Sequence, residues 1–301
     1  MFDARSRLAE LTEPASPTLF GWSRQGSQGD VSFAALGVRY DLGNPIAPGA
    51  REAPDSIRLA SASCAPPRAA GIDQGNLVQV PGEDPAATLS RLGEAVEAVL
   101  EQSQLPLILG GDHSLSFPVV ERLQRRGDLA VVWCDAHTDF SPWDGRGAHD
   151  HKQVLRRISG LGGVRRIVQV GLRGYTLEDE LRLAPGVAAL RPGDLRRDGA
   201  RKLLRRLPRG LRCYVSVDID VLDPSSAPGT STPVPGGLSL DELVGLLRSV
   251  LSRRRVAGLD LVEVNPSRDR DARTSLIACY LLHGALEGWC RTGLRPGSPP
   301  R

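Results

Sequence analysis

The sequence predicts an α/β fold of three layers, with a parallel sheet covered by helices on both faces. Three observations carry this. Short runs that are apolar at nearly every position recur along the 301 residues, the pattern of strands buried on both sides. Amphipathic stretches of helical period separate those runs. No internal repeat and no long linker interrupts the alternation, so a single domain is expected.

Taken in order, residues 1–30 are mixed and polar, with Pro14, Pro17 and a Gly/Ser/Gln stretch at 26–29, and read as an N-terminal arm. Strands are predicted over 33–38, 106–109, 129–134, 166–170, 212–219 and 256–264. A helix opens at Pro85 behind the cap Asp84, with Leu89, Leu92, Val96 and Val99 on one stripe. Further helices are predicted over 116–125, 153–161, 239–253 and 271–289, and Ser239 with Glu242 forms a capping box. The folded unit spans 31–290, and 291–301, which holds three prolines, reads as a flexible tail.

Composition narrows the function. Net charge is +3, and all but two of the 38 basic residues are arginines, scattered along the chain. The densest groups, at 196–197, 201–206 and 253–255, read as solvated helix faces. Aromatics are 4%, too few for a stacking platform, so no nucleic-acid partner is expected. No run of about 18 apolar residues exists, so no membrane span is expected. The start, Met1 to Arg5, carries no apolar core behind its charges, and a cytoplasmic location follows as the expectation. Cys64, Cys134, Cys213, Cys279 and Cys290 are far apart and form no CxxC pair, which supports neither a zinc knuckle nor a disulfide framework.

Chemistry concentrates where strands end, the usual place for a site in such sheets. Gly110-Gly111-Asp112-His113-Ser114 follows Leu107-Ile108-Leu109, and its glycines let the chain turn to present His113. Asp135-Ala136-His137-Thr138-Asp139 follows Val131 to Cys134, and in an extended chain residues i, i+2 and i+4 share one face. Asp218-Ile219-Asp220 follows Cys213 to Val217 with the same spacing, and Glu263-Val264-Asn265-Pro266 closes the set. Carboxylates and imidazoles gathered at the end of an apolar strand are costly unless something binds them, and a divalent cation is the simplest answer. Four aspartates and two histidines exceed a closed four-ligand zinc site and suit hard or borderline ions such as Mn²⁺, with Ni²⁺ or Co²⁺ also compatible. Bridging carboxylates permit two ions, and a water shared by two ions acquires a pKa near neutrality.

At these residues the sequence resembles the ureohydrolase family of arginases and agmatinases. The matching motifs are Gly-Gly-Asp-His-Ser at 110–114, Asp-Ala-His-Thr-Asp at 135–139, Ser-Val-Asp-Ile-Asp-Val-Leu-Asp-Pro at 216–224 and Glu-Val-Asn-Pro at 263–266. The resemblance implies an arginase/deacetylase-type fold and two Mn²⁺ per chain. His113 and Asp139 would hold one ion, His137 and Asp220 the other, and Asp135 and Asp218 would bridge. Glu263 would pair with a guanidinium, and Asp139 would pass a proton to the departing amine. His151, which precedes Arg156-Arg157 at the spacing seen in agmatinase-like members, is favoured over His149 as the loop proton shuttle. The third match continues through Ala227-Pro228-Gly229-Thr230 and Thr232-Pro233 to Gly236-Gly237-Leu238, and Thr232 is assigned to substrate binding.

The implied reaction converts a small guanidino compound to urea and an amine. Arginases read the substrate's α-amino and α-carboxylate groups with an Asn/Ser-rich loop and a later aspartate; here those places carry Phe140-Ser141-Pro142-Trp143 and Thr176. Agmatine or a guanidino acid is therefore favoured. Free or peptide-borne arginine and a formimino substrate remain as alternatives. Trp143 and Tyr175 read either as pocket walls or as packing. A mononuclear deacetylase and a non-catalytic metal-binding relative are the rivals from other classes, and the complete set of ligand positions argues against both. The resemblance also implies a homo-oligomer, trimer or hexamer.

Overall fold

A computed structural model of the chain describes residues 3–24, 33–142, 150–174 and 184–290. Among the described residues, nine strands form one sheet: β1 (Thr12–Glu13), β2 (Phe33–Gly37), β3 (Gly71–Leu77), β4 (Leu105–Leu109), β5 (Leu129–Cys134), β6 (Val164–Val170), β7 (Val187–Leu190), β8 (Arg212–Asp218) and β9 (Arg255–Val262). Their order across the sheet is β1-β3-β2-β4-β9-β8-β5-β6-β7. Every pairing is parallel except the antiparallel edge pair of β1 with β3.

The helices of the described residues are α1 (Ala4–Leu11), α2 (Ala53–Ser61), α3 (Pro85–Glu101), α4 (Ser116–Gln124), α5 (Val154–Ser159), α6 (Pro192–Asp198), α7 (Ala200–Arg206), α8 (Leu240–Arg253) and α9 (Arg273–Cys290). Leu8, Leu92, Val119 and Leu155, from α1, α3, α4 and α5, fill one core. Ile57, Leu195, Leu203, Leu247 and Leu282, from α2, α6, α7, α8 and α9, fill the core on the opposite face. The two faces follow from handedness. The chain runs outward through β4, β5, β6 and β7, then returns to lay β8 and β9 in the gap left between β4 and β5. Right-handed crossovers move the helices to the other face when that direction reverses.

The predicted strands and helices are all present, with ends shifted by a few residues. The region 256–264 ends as a strand at Val262, and 212–219 ends at Asp218, where Ile219–Val221 turns into a 3-10 helix. Strand β3 was not predicted because it is polar: Asp73, Gln74 and Asn76 are all buried in it. The partner of Asp73 and Asn76 is Arg58 of α2, which is fully buried. Arg58 donates from Nε and Nη2 to the two oxygens of Asp73 at 2.8 Å each, and also to Asn76 Oδ1 and the Gly75 carbonyl.

Residues 3–24 are part of this structure. Asp3 caps α1, β1 extends the sheet, and Leu19, Phe20 and Trp22 are buried. The arginine groups divide. Arg196 and Arg197 are exposed and pair with Glu242 and Asp194. Arg254 is not a solvated residue: it is buried and donates to the carbonyls of Leu204 and Leu207 at the end of α7. No helix among the described residues is long and apolar enough to cross a membrane.

Candidate metal centre

The four central neighbours β4, β9, β8 and β5 end side by side, and every motif singled out above follows one of them. Residues as distant in the chain as His113 and Glu263 are thereby joined: the Glu263 N–H donates to Gly111 O at 2.8 Å, and the His113 N–H donates to Glu263 Oε1 at 3.0 Å. Gly111 is required by a close approach, since a Cβ there would lie 1.5 Å from the carbonyl oxygen of Tyr40.

Convergence of the aspartates has a cause other than extended alternation. Strand β5 stops just before Asp135, β8 stops at Asp218, and Asp112 follows β4 by three residues; each of these carboxylates accepts from the backbone two residues on: His137 N to Asp135 at 2.6 Å, Asp220 N to Asp218 at 2.7 Å, and Ser114 N to Asp112 at 2.9 Å. These side-chain turns fold residue i+2 back toward residue i. Asp139 and Glu263 complete the approach with φ of 47° and 62°, a left-handed backbone that non-glycine residues seldom adopt.

Two groups of donor atoms result, His113 with Asp135 and Asp218, and His137 with Asp135 and Asp220, each with its ligand atoms within 4.8 Å of one another. His113 Nδ1 lies 3.2 Å from Asp135, 3.2 Å from Asp139 and 3.5 Å from Asp218. His137 Nδ1 lies 2.8 Å from Asp220. The inner imidazole is enclosed, stacked on Trp133 at 3.9 Å between centroids, with Nε2 2.8 Å from Ser216 Oγ. The outer imidazole is 34% exposed, so the cluster opens to solvent at His137.

This donor set fits a cation. His113 that donates Nε2–H to Ser216 turns its Nδ1 lone pair toward three carboxylates, an arrangement that repels unless positive charge lies between them. His113 Nδ1 is buried without a hydrogen-bond partner. Burial and repulsion from Asp220 and Asp135 push the Asp218 carboxyl well above its ordinary range, and burial with the Asp135 charge pushes Asp139 up to about 7. Burial also opposes ionisation of Asp135, but His113 and His137 hold its carboxyl well below the usual range. Against burial, Asp135 and Asp220 raise His137 to about 12. Spacings near 3 Å between donors match the edge of a shell with metal–ligand distances of about 2.1 Å.

Glu263 is buried, with Oε2 unpartnered, and burial followed by the Asp112 charge pushes its carboxyl well up. His151 stands in a turn packed against the His113 turn, and its Nδ1–H donates to Gly43 O at 2.5 Å, leaving Nε2 as the basic nitrogen. Burial lowers its pKa. Thr232 is exposed, beside Ser231, which donates to Ala47 O at 3.0 Å. Trp143, His149 and Tyr175 lie outside the described residues.

Two supports went unread in the sequence. Buried Arg173 donates to the carbonyls of Asp220 and Val234 at 2.6 Å each, holding the Asp220 turn against the 230–235 loop. Asp260 accepts from Ser116 Oγ at 2.6 Å and from the Tyr214 hydroxyl, under the strand ends. The signal for Asp260 was a lone acid inside an apolar strand, which a buried donor must satisfy.

Fold and site together define an α/β protein with a carboxylate–imidazole centre able to hold metal at the carboxyl ends of its central strands. The arginase family profile matches residues 31–287, and the chain belongs to the arginase family. Members of that family are hydrolases acting on C–N bonds of amidines, and this chain stands among them. It is 35% identical over 271 residues to N(1)-aminopropylagmatine ureohydrolase of Thermus thermophilus, covering 85% of this chain and 90% of that protein. Proclavaminate amidinohydrolase of Streptomyces clavuligerus is 36% identical over 264 residues, 81% of this chain and 83% of that one. The solved structure of the Streptomyces enzyme superposes with a TM-score of 0.82 at 28% sequence identity over the aligned residues, covering 93% and 98% of the two chains. A hypothetical agmatinase from Burkholderia thailandensis superposes at 0.80 with 27% identity, covering 91% and 90%.

Proposed function

We propose that this chain is a binuclear, manganese-dependent amidinohydrolase that converts a guanidino compound, agmatine or a guanidino acid rather than free arginine, to urea and an amine. The observation that carries this reading is that Asp135 belongs to both donor groups, as a carboxylate shared by two ions must. His113 and Asp139 are assigned to the inner ion, His137 and Asp220 to the outer, and Asp135 and Asp218 to both. When bound, the ions supply a water of lowered pKa as the nucleophile.

The chain's own residues do the remainder. Glu263 accepts guanidinium N–H groups at its unpartnered Oε2, where a buried carboxylate is worth most to a cation. Its Oε1 is fixed by His113 N–H, so the acceptor is already oriented. Asp139 passes a proton to the departing amine nitrogen. His151, oriented through Gly43, exchanges protons with solvent at Nε2. Thr232, which is exposed, is assigned to substrate binding, and Trp143 and Tyr175 to the pocket wall. The names of the Thermus and Streptomyces relatives support a guanidino substrate other than arginine. The catalytic unit is assigned to 31–290, acting in the cytoplasm as a homo-oligomer.

The test is urea release by the Mn²⁺-loaded protein from agmatine, arginine, guanidinobutyrate, guanidinopropionate, free guanidine and an arginine peptide. Urea is expected from agmatine or a guanidino acid above arginine, and silence across the panel refutes the reading. Glu263→Gln is expected to keep its metal and lose turnover by roughly 10²-fold or more; normal activity in that variant removes Glu263 from its assigned role.

A further inference from the structure

Cys64 and Cys279 are 215 positions apart, yet their Sγ atoms lie 2.9 Å from each other. They meet where α9 packs on the chain leaving α2. A second contact, Ser56 Oγ to Ser275 Oγ at 2.7 Å, ties the same two helices and fixes their register. The sulfur separation exceeds a disulfide bond of roughly 2.05 Å by less than about 1 Å, a gap that side-chain rotation closes.

The two thiols differ in access. Cys64 is partly exposed, whereas Cys279 is buried. Burial and the neighbouring Cys64 push the Cys279 thiol up, so Cys279 is a poor first nucleophile toward reagents in solution. Cys134 and Cys213 are buried in β5 and β8 and serve as inert internal controls.

We propose that Cys64 and Cys279 form a redox pair that closes to an intramolecular disulfide, a modification site distinct from the metal centre. The oxidant is a peroxide. Cys64 attacks one peroxide oxygen, the O–O bond breaks, and the products are a sulfenic acid and one water. Cys279 then attacks the sulfenyl sulfur, the S–O bond breaks, the S–S bond forms and a second water leaves. Two thiols have lost two electrons and two protons, and one peroxide has become two waters. The bond closes a very long loop and so restricts the unfolded chain.

The full-length protein is treated with a small excess of hydrogen peroxide. Thiols are then counted after denaturation, and the unreduced protein is mapped by proteolysis and mass spectrometry. Two thiols per chain are expected to disappear, with one linked peptide pair carrying Cys64 and Cys279 that separates on adding dithiothreitol. Tm is expected to rise by about 5 °C and to return on reduction. Cys64→Ser, at the partly exposed position, is expected to abolish both the linked pair and the shift. Oxidation that ends in sulfinic acid at Cys64, a disulfide between chains, or a linked pair with other cysteines overturns the proposal. So does retention of both thiols. The peptide map reads the unaltered sequence and does not depend on turnover, so its outcome is separate from that of the urea assay.

Discussion

Asp135 is the side chain on which both donor groups turn. One oxygen accepts from the Trp133 indole at 2.9 Å and the other from His137 N, so its two oxygens are aimed by fixed donors at opposite imidazoles. His137 belongs to one group alone. The two positions therefore have different expected failures. Asp135→Asn is expected to lose both ions on dialysis, whereas His137→Ala retains about one per chain, because its inner neighbours are intact. Metal-to-protein ratios from elemental analysis decide the matter, and equal losses in the two variants would refute a shared carboxylate. Residue types and spacing at this scale were readable from the sequence. The left-handed backbone of Asp139 and Glu263 was not, because nothing in those residue types announces it.

Among the elements, β3 carries the sharpest dependence on one partner. A buried arginine facing Asp73, Asn76 and a carbonyl is tolerable only as a satisfied set, since each group alone in that position is a desolvated charge or dipole. Arg58→Ala leaves Asp73 without its counter-charge and is expected to cost about 3–5 kcal/mol, read as a lower urea midpoint at unchanged slope. A loss below about 1 kcal/mol would show that water replaces the guanidinium there. The same strand marks the limit of pattern reading. The apolar strands β4, β5 and β8 were legible from periodicity because their burial is paid in side-chain hydrophobicity. Strand β3 hides its burial behind polar residues whose partner lies on another element, and β7 is a short, partly exposed edge of small side chains.

Across the whole molecule, burial of several carboxylates in one place opposes folding until a cation is bound. Chelator-stripped protein is expected to melt below the untreated protein, and Mn²⁺ at about 100 times its dissociation constant should restore roughly 2.7 kcal/mol per site. Calorimetry with and without metal measures this, and an unchanged Tm would mean that the centre contributes nothing to stability. The topology that gathers these groups was only partly visible beforehand. Apolar runs identified the strands, but their order depends on pairings between distant segments, which local periodicity does not encode.

That order has a consequence for biosynthesis. The two strands at the middle of the sheet are among the last translated, so a nascent chain halted before Arg212 has β4 and β5 with no neighbour between them. Until the ribosome delivers β8 and β9, such a chain presents two unsatisfied edges, and neither the donors Asp218 and Asp220 nor the buried Glu263 beside them is yet in place. Maturation of the centre is thereby deferred to the final third of synthesis.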